Sequence, residues 1–260
     1  MRNLVALAAV LALPTAVLAD PGAVDWQKKV VKCTGSGAAN LRDADGNKAV
    51  ARIGAEKAAK LDALRNCMEA VKGIQLETGK SVGSALSSDQ ALNGRVEGVV
   101  RGFKVVGKPR YYEDGGVEMD VEVPLEGKLS EVLLPKSDAV PAAAPANESP
   151  APGTSLVVDA RGQKLVPALA PRVLDEAGNE VYGPAGLSET GRKAGGAAAY
   201  AKDLDAAKKT LGDRLGDKPL VVKAVKVTGS DVVISADDAK GLSGKGWPFL
   251  ADARVVILAD

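Results

Sequence analysis

The stretch VEMDVEVPL, residues 117–125, alternates without a break: Val117, Met119, Val121, Val123 and Leu125 on one side, Glu118, Asp120 and Glu122 on the other. Period-two alternation is the signature of a strand with one dry face and one wet face. Working outward, this strand is expected over about Arg110 to Pro124. A facing strand is expected over about Arg95 to Val106, with Gly98 and Gly102 marking a bulge or a close helix crossing. Upstream the spacing turns helical. From about Asn47 to Lys72, Val50, Ile53, Leu61, Leu64, Met68 and Val71 recur at threes and fours, with Ala55, Ala58, Ala59 and Ala63 raising helix propensity. Asp45 or Asn47 is the expected N-cap and Gly73 the C-cap. Trp26 to Cys33 reads as a strand ended by a Thr34-Gly35-Ser36-Gly37 turn, Ile74 to Leu76 as a short strand followed by a polar loop through Ser88, and Leu129 to Leu134 as a short helix. The fold class is α+β, with one long helix on a small antiparallel sheet.

From Lys136 to Gly153 the run KSDAVPAAAPANESPAPG carries Pro141, Pro145, Pro150 and Pro152 and no apolar periodicity, the composition of a semi-rigid linker. It separates a module over 20–135 from a second over 154–260. The second opens with an apolar strand, Ser155 to Asp159. A hairpin follows, Arg172 to Asp175 against Glu180 to Tyr182, turned at Gly178-Asn179. Asp203 to Leu215 is helical, Leu220 to Val227 and Val232 to Ser235 form another hairpin turned at Gly229-Ser230, and Arg254 to Leu258 is a final strand. Ser235 and Asp238 resemble a capping box. This module is expected to be a mixed helix and β-hairpin domain with mostly antiparallel strands.

The N-terminus reads as a leader. Arg2 supplies the positive charge, Leu4 to Leu13 the apolar run, and Val17-Leu18-Ala19 the small residues a signal peptidase reads, so 1–19 is the expected signal peptide, cleaved near Ala19. The mature chain is then periplasmic or secreted. Asp20 stands where a lipidated Cys would, so no lipid anchor is expected. No later run is apolar enough to span a bilayer.

Composition excludes much chemistry. The chain has no histidine among its 260 residues, which removes Ser-His-Asp and Cys-His catalysis and histidine metal sites. Lys plus Arg number 34 against 33 Asp plus Glu, a balance unlike that of nucleic-acid binders. Aromatics at 3% leave little for stacking platforms. No Ser-x-x-Lys dyad occurs. Gly35-Ser36-Gly37 lacks the third glycine and the Lys-Ser/Thr pair of phosphate loops, and reads as a turn needing positive φ. Asp43, Asp45 and Gly46 resemble a calcium loop, but Leu41 and Arg52 fall where ligands belong, so a helix-capping turn is the reading. No catalytic, cofactor or metal residue is assigned, and the chain is expected not to be an enzyme. Cys33 and Cys67 read either as a disulfide or as two buried thiols, and export favours the bridge. Arg52, Asp62, Arg65 and Glu69 on the long helix are the candidates for a structural or interface role, either as a solvated face or with Arg65 and Glu69 as a buried pair. Glu56 to Lys60 has the favourable order for an ion pair.

Ala51-Arg52, Ala55-Glu56-Lys57-Ala58-Ala59, Asp62-Ala63-Leu64-Arg65, Glu69 and Gly73, after Thr34-Gly35-Ser36-Gly37 and before Val96-Glu97-Gly98, resemble a family of small bacterial outer-membrane lipoproteins. That family is typified by the twenty-kilodalton Lpp-type antigen. The same residues are similar to the N-terminal region of flagellar assembly protein T. The resemblance covers about residues 26 to 126. It implies a periplasmic, non-enzymatic module associated with the outer membrane or with flagellar basal-body rings, and it brings no catalytic residues. Ser155 to Arg161, Pro167-Ala168-Leu169-Ala170-Pro171 and Glu180-Val181-Tyr182-Gly183 resemble a companion region of other exported bacterial proteins. The expected function is structural or assembly work through contacts with envelope proteins. The alternatives are a binding protein for a small ligand or cell-wall fragment and, third, a His-free hydrolase.

Overall fold

A computed structural model describes residues 22–135, 153–242 and 247–260. The leader, and all of the Pro/Ala connection except Gly153, lie outside the described residues. The first module runs β1 (Gly22–Asp25), β2 (Val30–Gly37), α1 (Lys48–Gly73), β3 (Gln75–Glu77), β4 (Lys80–Ser81), α2 (Val82–Ser88), α3 (Gln90–Val100), β5 (Lys104–Tyr111), β6 (Val117–Pro124) and α4 (Lys128–Leu133). Its four-stranded sheet has the order β1-β2-β6-β5, antiparallel throughout. Val117, Met119, Val121 and Val123 of β6 are buried, so the alternation sorts the faces as the sequence indicates.

The covering helix uses a side of itself that its large apolar residues do not mark. Ala51, Ala55, Ala59, Ala63, Cys67 and Val71 are buried, an i, i+4 row, whereas Val50, Ile53 and Leu61 are 51%, 54% and 69% exposed. Leu64 and Met68 are partly buried. Small side chains are needed because α1 lies almost on the backbone of β2. A Cβ at Gly35 would stand 2.2 Å from the Ala59 carbonyl oxygen, and one at Gly37 2.1 Å from that of Ala55. These two glycines therefore serve close approach rather than a positive-φ turn. Thr34 to Gly37 continues β2 instead of ending it. Cys33 on β2 and Cys67 on α1 form a disulfide, with Cα atoms 5.5 Å apart. Asn47 is the N-cap, its side chain accepting from the Ala49 and Val50 amides, and Asp45 and Gly46 turn the chain into it at positive φ. Gly73 is the last helical residue and extended Ile74 the cap.

Four expectations for this module are corrected. The strand expected from Arg110 begins only at Val117, because Arg110 and Tyr111 end β5 and pair with Glu118 and Val117 across the turn. The turn before β2 holds Trp26, and β1 precedes it. The polar loop contains β4 and α2, started by the Ser81 side chain accepting from the Ser84 amide and buried through Val82 and Leu86. Residues assigned to a strand from Arg95 fold instead as α3. Asp89 caps it at Leu92, and the i, i+4 pair Val96 and Val100 faces the core. The facing strand begins only at Lys104, and an added Cβ at Gly98 would meet nothing within 4 Å, so no helix crosses there.

The second module comprises β7 (Ser155–Asp159), β8 (Val173–Leu174), β9 (Glu180–Tyr182), α5 (Glu189–Arg192), β10 (Ala199–Ala201), α6 (Leu204–Leu211), β11 (Pro219–Thr228), β12 (Asp231–Ile234), α7 (Ala236–Leu242), α8 (Pro248–Ala251) and β13 (Val255–Leu258). Both hairpins form, and the Ser235 hydroxyl accepts from the Asp238 amide as a cap does while donating to the Asp238 carboxylate, half of the capping box. The sheet, ordered β10-β13-β7-β11-β12-β8-β9, is mixed rather than mostly antiparallel. β10, β13, β7 and β11 are parallel neighbours, and β12 is parallel to β8. β7 and β13 are buried on both faces, as parallel strands are, and their continuous apolar runs hide the difference from an antiparallel reading.

The two modules share one apolar core extending from Val31 and Val71 to Leu156 and Ile257. Backbone bonds cross the seam: Leu169 and Ala170 amides donate to Gln75 and Leu76 carbonyls at 2.8 and 2.7 Å, and the Gly127 amide donates to Lys193 at 2.8 Å. Trp26 meets Tyr200 edge to face at 5.4 Å.

Gly35→Val places branched carbon into the Ala59 backbone and is expected to lower unfolding free energy by about 2–4 kcal/mol. Gly54→Ala, at an open position of the same helix, is expected to raise it by about 0.5–1 kcal/mol. Urea unfolding of both variants checks the pair.

Candidate functional site

Each residue advances about 100° around a helix, so an i, i+4 row creeps about 40° per step and the buried row from Ala51 to Val71 winds through about 200°. Val50, Ile53, Lys57, Leu61, Leu64 and Met68 are spaced by threes and fours and stay within an arc of about 80°. The two rows converge toward the C-terminal end, where α2 and α3 lie against α1. There Leu64 and Met68 are partly covered, and Gly83 of α2 sits so close that a Cβ would stand 3.1 Å from the Lys72 carbonyl oxygen. Beside Ala55 and Ala59 the rows stand about 160° apart, and there Ile53 and Leu61 are bare, as is Val50 a turn earlier.

Of the candidates on this helix, Arg52 stacks its guanidinium 3.6 Å from the Tyr111 ring centroid and lies 4.0 Å from Glu56, which accepts from the Tyr111 hydroxyl at 2.9 Å. Glu56 thus faces Arg52 and Tyr111, and the expected Glu56–Lys60 ion pair is absent among the described residues. Asp62 accepts from the Ser36 amide at 2.9 Å, tying α1 to β2, and Asn66 donates to the Thr34 carbonyl at 2.8 Å. Arg65 and Glu69 are exposed, and Glu69 pairs with Lys72 at 2.8 Å, so the buried Arg65–Glu69 pair does not form. Three of the four candidates therefore sit apart, and only Arg52 enters a cluster.

That cluster borders a recess of about 250 Å³ lined by Leu41, Lys48, Arg52, Tyr111 and Tyr112 among others. Tyr112 donates to Glu118 at 2.6 Å, and this bond pushes its hydroxyl pKa up. Arg110 bridges Glu118 and Asp120, and the guanidinium holds the Asp120 carboxyl below its ordinary value. A second recess, of about 560 Å³, lies between α3, α4 and the end of β6, with Arg95, Gly98, Glu126 and Lys128 at its edge. Among the described residues no group of three or more acidic or Cys side chains is placed to hold a metal.

The seam holds the groups that the sequence did not flag. Lys29, at φ 53, is 7% exposed and donates to the Ala194 carbonyl at 2.9 Å and to Glu126 at 3.1 Å. Burial lowers its pKa against the raising effect of Glu126. Ser130, fully buried, accepts from the Gly195 amide at 3.3 Å. The Tyr200 hydroxyl donates to the Ala168 carbonyl and accepts from its amide. Ala194 to Ala198 is buried throughout, with Gly195 and Gly196 at positive φ.

Residues 155–260 match a family model, the second domain of Tp0624 of Treponema pallidum. The match runs from the first residue of β7 to the chain end, so the region like the Tp0624 second domain coincides with the second sheet and its helices. No curated protein matches the chain. The Tp0624 match reaches neither α1 nor the two recesses, all of which belong to the first module. Among the described residues no helix is long and apolar enough to cross a membrane.

The unfolded chain holds the Lys29 proton up to about 10.5, while the folded chain releases it at lower pH. Raising pH through that interval therefore favours the folded state. Wild-type melting temperature is expected to rise relative to Lys29→Met across this alkaline window, with titrations common to both cancelling. Parallel pH-melting curves for the two proteins check it.

Proposed function

We propose that this chain is an exported, non-enzymatic assembly protein of the bacterial envelope, acting through protein–protein contacts in the periplasm. The carrying observation is the bare half of α1: Val50, Ile53 and Leu61 are more than half exposed on a helix whose opposite side is already packed. Large apolar side chains exposed together along one face of a helix, with Lys57 among them, suit an interaction surface. The shared core of the two modules supports the reading, since a body with fixed geometry can hold partners at set positions. The leader-like N-terminus and the resemblance of the first module to outer-membrane lipoproteins and to flagellar assembly protein T support partners at the outer membrane or basal-body rings. Crosslinking in intact cells followed by mass spectrometry is expected to join the mature protein to envelope proteins. Recovery of only cytoplasmic proteins, or of none, overturns the reading.

A second reading rests on the recess of about 560 Å³, a volume within the range of small-ligand sites. Arg95 and Lys128 at its edge would favour an anionic ligand such as a cell-wall fragment. A muropeptide is then expected to raise the melting temperature. Gly98→Leu, which fills the recess from an open helical position, is expected to abolish that rise.

A further inference from the structure

The bare part of α1 has a chemical bias beyond being apolar. Val50 to Leu61 spans about 16 Å along the helix axis, about three turns of side chains in a nearly straight row. Lys57 lies inside the row, and Lys60 and Arg65 flank it on opposite sides. Among the described residues the ion pairs of α1 within 4 Å are Arg52–Glu56 and Lys72–Glu69, so these three cations carry none. The row continues directly into Leu64 and Met68, where α2 and α3 supply the cover. The continuation is a helix-packing surface, and spacing by threes and fours is the geometry into which another helix sets its side chains.

We infer that the bare row of α1 docks an amphipathic helix of a partner protein whose apolar stripe is flanked by Asp or Glu. The inference rests on the assembly reading above and names its partner class. Charge selects the occupant. A second copy of this chain would bring Lys57, Lys60 and Arg65 against the same three cations, and like charges across an interface oppose association. An acidic flank pairs Lys60 and Arg65 on the two edges. Lys57, set among apolar neighbours, fixes the register as a lone charged residue does in a coiled-coil seam.

The test uses the mature full-length protein and two synthetic helical peptides with Leu at heptad positions a and d, one with Glu and one with Lys at e and g, followed by fluorescence anisotropy. The Glu peptide is expected to bind at least about tenfold more tightly than the Lys peptide. Ile53→Asp combined with Leu61→Asp is expected to remove that binding with an unchanged circular dichroism spectrum, and Lys57→Glu to weaken the Glu peptide specifically. Equal binding of both peptides, no binding of the Glu peptide, or binding only to phosphatidylglycerol vesicles overturns the inference. Self-association abolished by the paired Asp substitutions overturns it in favour of a second copy. If the peptides fail while envelope crosslinks persist, helix docking falls and the assembly reading stands.

Discussion

The contact between α1 and β2 sets the terms for the rest of the first module. Two positions without side chains on β2, Gly35 and Gly37, let the backbone of a 26-residue helix come within a Cβ's reach of the strand. Such an approach admits only small residues on the helix side, hence Ala55, Ala59 and Ala63. A contact made from alanines buries little area per residue, and hydrophobic stabilisation follows area. Covalent and polar ties supplement it. The Cys33–Cys67 disulfide closes a loop of 34 residues in sequence, worth on the order of 3 kcal/mol in chain entropy, while Asp62 and Asn66 bond the β2 backbone from the same helix.

The second constraint is the seam. Neither sheet is closed off by its own module: β3 accepts from the Leu169 and Ala170 amides, while α4 and the turn at Lys29 meet the buried loop from Ala194 to Ala198. Gly195 and Gly196 permit the turn of that loop, and its amides and carbonyls are met by Ser130, Lys29 and the Leu169 carbonyl. A buried ammonium is costly unless it is paired and hydrogen-bonded. Lys29 has both conditions from opposite modules, Glu126 on one side and the Ala194 carbonyl on the other. Separating the modules would remove the carbonyl and open apolar surface at once, so the two are bound more closely than a Pro/Ala connection alone would make them.

Of the strand expected over Arg110 to Pro124, the part from Val117 is legible because alternation has no competing explanation, whereas Arg110 and Tyr111 belong to β5; both hairpins of the second module are legible from their turn residues. α3 was hidden because Arg95 to Val106 is short, carries two glycines and mixes both periods. The parallel order around β7 was hidden because strands buried on both faces lose the alternation that would reveal them. The buried side of α1 was misread for a chemical reason: large apolar residues outweigh alanine in any hydrophobic count, yet only alanine fits against Gly35 and Gly37. Arg52 was singled out from charge spacing, but its partner Tyr111 was not. Adjacent tyrosines in a chain with 3% aromatics were the available signal. Lys29 left no trace, since one lysine before an apolar strand looks like any surface charge.

The use of alanine on the packed side of α1 bears on function. The alanine row meets the whole packing requirement of α1 against the sheet, so the fold does not call on Val50, Ile53 or Leu61. Lysine or glutamate at those positions would keep helix propensity and remove apolar area from water. Their presence is a cost in solubility that the folded chain alone does not offset. The same row becomes useful where it passes under α2 and α3, which shows that a helical cover suits it. A surface built like the covered half, left open over about three turns and edged by unpaired cations, has the form of an interface whose other half is another chain.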